Sequence, residues 1–273
     1  MPQNLYMKFK QAGIKVLRAL RLIIFAEWLR CHWHILKSKA DNKNFLKDNP
    51  GFCVPPLKLL HEVFGRANYR LYYESGIQSA NSLTMLFNKY STIEKPGILE
   101  IGCGVGRIIR HLPELMPGSE IYGTDINYEM INWCRTNLKK IEFYVNDIQP
   151  PLLFHDNNFD IVFTASVLTH LSEKMQKIWI DEIFRVLRTD GICLVTVHGD
   201  YYAELKLSRN ELKHYYLGQL IVRNAKEGSR ILTTFQNEKY MREHLFVNRQ
   251  IIGHIFEPEL QIAGSQDIWI VKK

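Results

Sequence analysis

Five short apolar runs alternate with helical periods along the middle of the chain, and this alternation restricts the fold more than any other feature. The runs fall at 97–101 (GILEI), 120–125 (EIYGTD), 141–146 (IEFYVN), 159–165 (FDIVFTA) and 191–197 (GICLVTV), with helical periods at 105–116, 127–139 and 173–187 between them. Strands that read as continuous apolar runs are buried on both faces, which a parallel sheet covered by helices provides. The predicted architecture is a doubly wound α/β domain, in which ligands lie at the carboxyl ends of the strands. A helix is also expected over 76–90. Two further β-rich runs, LFVNRQIIGHIF and QDIWIVKK, are expected to complete a mostly parallel seven-stranded sheet as an antiparallel C-terminal pair.

With 273 residues, 46% of them apolar, the chain suits one large domain with an appendage. Its net charge of +7 sits in residues 1–49, which hold ten Lys and Arg against three Asp and Glu, while residues 50–273 balance. A balanced body has no net field to attract a phosphate backbone, so nucleic acid is not expected as a partner. Residues 5–39 read as a basic helical extension whose charges spread around the axis. That favours packing on the body or on a second subunit, although Trp28, Trp33 and the basic residues permit a peripheral membrane contact. The breakers Asp48-Asn49-Pro50-Gly51 and Pro55-Pro56 mark the boundary between an extension, 1–49, and a main domain, 50–273. Five cysteines with no CxxC pair predict reduced thiols in a cytoplasmic protein, without a metal site or a disulfide framework. The apolar run Leu22 to Ala26 is stopped by Arg21 and Glu27 and is too short to span a bilayer, and no signal-peptide cleavage site follows it.

The segment Leu99-Glu100-Ile101-Gly102-Cys103-Gly104-Val105-Gly106-Arg107 runs from a strand into a glycine-rich turn, where the backbone can turn tightly and approach a ligand. A nicotinamide or flavin fingerprint would need glycine at 107, where Arg107 stands. The spacing acid-x-Gly-x-Gly-x-Gly resembles that of the class I S-adenosylmethionine-dependent methyltransferases. The resemblance covers 97–198 well and the tail loosely, and it implies a Rossmann-like core that binds S-adenosyl-L-methionine. On that reading Gly102, Cys103, Gly104 and Gly106 form the cofactor turn, and Glu100 beneath it orients the methionine end. Asp125, closing the second strand, receives both ribose hydroxyls. Asp147, after the third strand, meets the adenine amine while Ile126 and Ile148 hold the ring. Ala165 and Ser166, in the segment 163–171, close over the methionine moiety. The plainer alternatives are a tight turn at 102–106 and a helix cap at Asp125.

The resemblance implies an enzyme that moves a methyl group to an oxygen or nitrogen of a small-molecule or metabolite-linked acceptor. The Thr164-Ala165-Ser166-Val167 stretch lacks the Asn/Asp-Pro-Pro-Tyr/Phe motif of methyltransferases acting on base amines or glutamine, and no Pro-Cys pair supplies a cytosine C5 nucleophile. In-line displacement at a sulfonium carbon chiefly needs alignment, so a general base is optional. His170 and His198, near strand ends, are the candidates to take a proton, the plainer reading being that both merely pack. Tyr69, Tyr72 and Tyr73 are candidates for a lid, and the insertion 199–245 is expected on the acceptor side. Two other readings remain at this point. One is a non-catalytic scaffold docking through its basic extension; the other is an RNA methyltransferase, which the neutral body weakens.

Overall fold

The computed structural model describes residues 23–273 except 224–226, 230–231, 257–259 and 261. The chain forms two compact units, Met1–Tyr72 and Tyr73–Lys273. The first contains α1 (Ile23–Lys37), α2 (Lys39–Asp48) and α3 (Leu57–Phe64), with the breaker cluster forming the connection from α2 to α3. The buried Asn42 ties this unit together, since its Nδ2 donates to the Ala67 carbonyl at 2.9 Å and its Oδ1 accepts the Tyr69 N–H at 2.8 Å. Residues 5–22 of the expected extension helix lie outside the described residues.

Helix α4 (Tyr69–Tyr90) begins well before residue 76, because Asn68 Oδ1 accepts the Leu71 N–H and caps a turn that the interior Gly76 obscures in the sequence. Tyr69 and Tyr72 are buried in the first unit beside Phe45 and Phe52, so they are core and not a lid. The second unit is built on β1 (Gly97–Ile101), β2 (Glu120–Asp125), β3 (Glu142–Val145), β4 (Phe159–Thr164), β5 (Leu187–Val197), β8 (Gln250–Ile255) and β9 (Asp267–Lys272). These form one sheet in the order β3-β2-β1-β4-β5-β9-β8. The first five strands are parallel, and β9 runs antiparallel to both β5 and β8. A separate hairpin, β6 (Ile221–Arg223) with β7 (Thr233–Phe235), lies in the insertion.

Alternate residues of the strands feed two cores. Leu99, Ile101, Val162, Cys193, Val195 and Val197 pack with Trp179 and Ile183 of α7 (Glu173–Val186) on one face. Ile98, Ile161, Phe163, Ile192 and Leu194 pack with Leu83 and Phe87 of α4 and Ile131 of α6 (Tyr128–Asn137) on the other. Burial on both faces is what the unbroken apolar runs required. The expected helix at 105–116 does not form as one piece. Gly102, Gly104 and Gly106 hold φ of +77°, +54° and +70°, so the turn continues through 106, and only a 3₁₀ turn (Ile109–His111) and the short α5 (Leu112–Leu115) follow.

Arg107 fastens this turn to the rest of the unit. Its guanidinium donates to the Ser75 carbonyl at 3.1 Å, to Ser79 Oγ at 3.0 Å and to the Ile262 carbonyl at 3.1 Å. The approach is possible because Gly76 has no side chain: a Cβ there would collide with the Arg107 carbonyl oxygen. Gly76→Ala should therefore lower stability, even though alanine gains about 1 kcal/mol in helix propensity over glycine. Urea unfolding of the two proteins checks this, and a stabilised variant would refute the close packing.

Candidate functional site

The carboxyl end of β1 is held against that of β2 by a small set of bonds. The N–H groups of Gly102 and Cys103 both donate to the Thr124 carbonyl, at 2.7 and 2.9 Å. Asp125 then accepts the Gly104 N–H on Oδ2 and the Asn127 N–H on Oδ1, each at 2.8 Å. The cap of α6 is Asn127, whose side chain accepts from the Met130 N–H, so Asp125 is not the helix cap. Its carboxylate lies at the glycine turn. A carboxylate offers about four acceptor positions, so holding two backbone N–H groups is compatible with receiving a pair of vicinal hydroxyls. Cys103 contributes only backbone at this edge, because its side chain is buried in the core and burial pushes the thiol far up.

Four buried side-chain atoms without a hydrogen-bond partner gather along this edge: Glu100 Oε2, Thr124 Oγ1, Asn146 Oδ1 and Thr164 Oγ1. They sit at or next to the carboxyl ends of β1, β2, β3 and β4, which are adjacent in the sheet. A buried unpaired polar atom costs about 1–3 kcal/mol, so a group of them at one edge points to a polar ligand as their partner. Glu100 is the extreme case. Burial raises its pKa to about 8, against the opposing pull of the Arg107 charge and the Ile109 N–H.

Beyond β3, Asp147 and Ile126 are exposed and Ile148 is half-buried. Trp179 Nε1 donates to the Ile148 carbonyl at 3.1 Å and anchors that loop. The insertion reaches over this region, for a Cβ on Gly228 would lie 2.6 Å from Ile148 Cδ1 and 3.2 Å from Ile126 Cδ1. The structure thus brings the glycine turn, Asp125, Ile126 and Ile148 to one edge and sets against the isoleucines a loop that no local sequence signal identified.

The loop after β4 is fixed from several sides. Ser166 holds φ of +67°, its N–H donates to Thr196 Oγ1 at 2.8 Å, and its Oγ accepts from Gln266 Nε2 at 2.8 Å. Thr196 Oγ1 donates to Gln266 Oε1 at 2.7 Å, closing a ring. Ala165 beside it is half-buried and packs on the α4 side of the sheet. On the insertion side, Gln176 Nε2 donates to the carbonyls of Leu168 and Leu171 and to Thr234 Oγ1.

His170 Nδ1 lies 2.7 Å from the Leu232 carbonyl, and His198 Nδ1 lies 2.9 Å from the Thr234 carbonyl. A carbonyl only accepts, so Nδ1 carries the proton in each and Nε2 is the basic atom. His198 is buried, stacks on Tyr202 at 4.1 Å, and has its pKa lowered to about 3 by burial. A second pair, missed in the sequence because its members come from different strands, is His254 with Asp267 at 3.0 Å, the imidazole stacked on Trp269 at 3.7 Å. Asp267 pairs with Val197 in the ladder and so sits at the carboxyl end of β5. An open hollow of about 340 Å³ beside Arg135, Lys139 and Phe143 lies at the amino end of β3, away from these groups.

Residues 99–195 match a family described as a methyltransferase domain. A malonyl-[acyl-carrier protein] O-methyltransferase of Bacillus cereus is 30% identical over 161 residues, covering 57% of this chain and 58% of that protein. A fatty-acid O-methyltransferase of Mycolicibacterium smegmatis is 35% identical over 164 residues, covering 58% of this chain and 54% of that protein. The chain thus spans somewhat more than half the length of these relatives. Among solved structures, a SAM-dependent methyltransferase from Methanosarcina mazei matches with a TM-score of 0.54 at 25% identity, covering 69% of this chain and 96% of that one.

Three buried groups set the pH dependence of the ligand-free protein. His198 and His111 are kept neutral by burial, with pKa values lowered to about 3 and about 4. Unfolding restores an ordinary value near 6.5, so in the window below it the unfolded chain binds about two more protons. Glu100 works the other way, since with a pKa of about 8 the folded protein holds one extra proton from about 4.3 up to 8. The net is about one proton taken up on unfolding between roughly pH 4.5 and 6.5, and one released between roughly 6.5 and 8. Stability should fall by about 1.4 kcal/mol per pH unit in both directions away from roughly 6.5. Glu100→Gln should remove most of the decline towards pH 8, leaving the few tenths of a kcal/mol due to the buried thiols of Cys103, Cys134 and Cys193, and steepen the acid one, which urea unfolding from pH 5 to 8 measures. A variant that declines between pH 7 and 8 as steeply as the parent would contradict the assignment to Glu100.

Proposed function

The chain belongs to the class I S-adenosylmethionine-dependent methyltransferases, and we propose that it moves a methyl group to an oxygen of a small-molecule or metabolite-linked acceptor, foremost the carboxylate of an acyl compound. The observation that carries the methyl-transfer reading is the line of orphaned buried polar atoms at the carboxyl ends of β1 to β4, beside the Asp125 carboxylate. These residues fit S-adenosyl-L-methionine. Asp125 would hold the ribose hydroxyls, and Glu100 would face the ammonium of the methionine end. The positive-φ glycines at 102, 104 and 106 allow the backbone to come close. Ile126 and Ile148 would hold the adenine with Asp147 at its amine, and Ala165 and Ser166 would close over the methionine.

When bound, the donor supplies a methyl carbon on a sulfonium, an electrophile that needs no further activation. What the chain adds is alignment of the acceptor oxygen and exclusion of water. Residues 97–198 form the cofactor core in this reading, and 199–245 cover it from the acceptor side. The choice of a carboxylate is supported by the two O-methyltransferases named above, and it suits a site without a charged base, because a carboxylate carries no proton to remove. A second reading, an acceptor bearing a proton on oxygen or nitrogen, is favoured by the two imidazoles whose Nδ1 atoms are bonded to the carbonyls of Leu232 and Thr234. His170 and His198 would then take that proton on Nε2.

Calorimetric titration with S-adenosylhomocysteine should show binding that Asp125→Ala weakens by about 10- to 100-fold, the worth of hydrogen bonds to a charged group. Absence of binding, or an unaffected variant, would overturn the cofactor assignment. With a fatty acid or a malonyl thioester as acceptor, His170→Ala and His198→Ala should each keep turnover within about tenfold. A loss of about 10²- to 10⁴-fold would instead assign a general base and move the reading to the proton-bearing acceptor.

A further inference from the structure

The extension is more ordered in its chemistry than its sequence suggests. In the structure Ser38 separates α1 from α2; α1 carries a stripe of apolar residues beside Arg30 and Lys37, and α2 carries a row of lysines. On α1, Phe25, Trp28, Leu29, Trp33 and Leu36 recur at three- and four-residue spacing and are 48% to 71% exposed. At 100° per residue they occupy about 140° of the circumference, one stripe that also carries the exposed His32, whose ring lies 4.0 Å from that of Trp28. Single exposed apolar residues are ordinary on any surface; five in a stripe with two tryptophans are not.

On α2, Lys39, Lys43 and Lys47 are all exposed and stand four residues apart, in one row. Like charges at this spacing repel by a few tenths of a kcal/mol per pair. The acids of the segment do not relieve them, because Asp41 and Asp48 pair with Arg70 at 3.2 and 3.7 Å and Glu27 pairs with Arg30 at 3.0 Å. Among the described residues no carboxylate lies within ion-pair distance of the three lysines. A single surface that covers the stripe and reaches α2 must therefore combine an apolar interior with a negative surface. A second copy of the chain docked by two-fold symmetry would bring a lysine row of its own to the interface and leave both uncompensated. An anionic bilayer supplies both halves: tryptophan favours the headgroup boundary, and lysine beside it meets the lipid phosphates.

We propose that α1 and α2 form a docking surface for an anionic lipid bilayer, with Phe25, Trp28, Leu29, Trp33 and Leu36 in the interface and Lys39, Lys43 and Lys47 on the headgroups. The proposal is independent of the methyl-transfer reading, since it rests on residues that take no part in the candidate site.

The test is co-sedimentation of the full chain with vesicles of phosphatidylcholine, alone or with a fraction of phosphatidylglycerol, at low and high salt. Partitioning onto the anionic vesicles is expected, weakened by salt and much lower on phosphatidylcholine alone. The triple change Lys39→Gln, Lys43→Gln, Lys47→Gln should lower partitioning by about 100-fold. The double change Trp28→Ala, Trp33→Ala should remove it at either salt. Unchanged melting temperatures and S-adenosylhomocysteine affinity would show that both variants keep their fold, and a loss of lipid binding with a lowered melting temperature would be repeated with Leu36→Gln, a milder change on the same stripe. Failure of the wild-type chain to bind anionic vesicles overturns the proposal. So does binding that the lysine variant leaves intact, or a concentration-dependent dimer that the tryptophan variant dissociates without any lipid affinity in the parent.

Discussion

The carboxyl edge of the sheet depends on the bond between the Asp125 carboxylate and the Gly104 N–H. It joins the end of β2 to the turn that follows β1, across strands that are neighbours in the sheet but more than twenty residues apart in sequence. A charge-assisted bond of this kind contributes about 1.5–3 kcal/mol, enough to select one conformation of a glycine turn that could adopt many. With the turn fixed, its outer end is held by Arg107 on α4 and on the Ile262 carbonyl, and its inner end by the Thr124 carbonyl. The turn is therefore clamped at three points before any ligand arrives, the preorganisation that tight recognition by backbone groups needs.

Much of this was legible in the sequence for a local reason. The runs at 97–101 and 120–125 coincide with β1 and β2 to the residue, because a strand buried on both faces is mostly apolar and a turn must interrupt it. The same local logic found the glycine turn and the acid at 125. It failed where a distant contact decides. The stretch 105–116 carries helical periodicity, yet the left-handed glycines before it and the docking of Arg107 on α4 delay the helix until residue 112. No pattern within 224–232 indicates that Gly228 rests on Ile126 and Ile148, because that placement is set by the hydrogen bonds that join Leu232 and Thr234 to the histidines after β4 and β5. His254 with Asp267 escaped for the same reason, being a cross-strand pair.

Glu100 connects the architecture to the chemistry. Its side chain shares a strand face with Ile98 and lies under the glycine turn, where burial makes the charged form costly and pushes its pKa to about 8. A ligand that brings a positive charge to this point opposes that shift, because a nearby opposite charge favours the ionised carboxylate. Cation binding and proton release at Glu100 are thus one event, and by linkage the affinity for such a ligand rises with pH until the carboxyl is ionised in the free protein as well. A neutral ligand in the same place would gain nothing from this exchange. The buried acid under the turn therefore selects for a bound group that is cationic at that end.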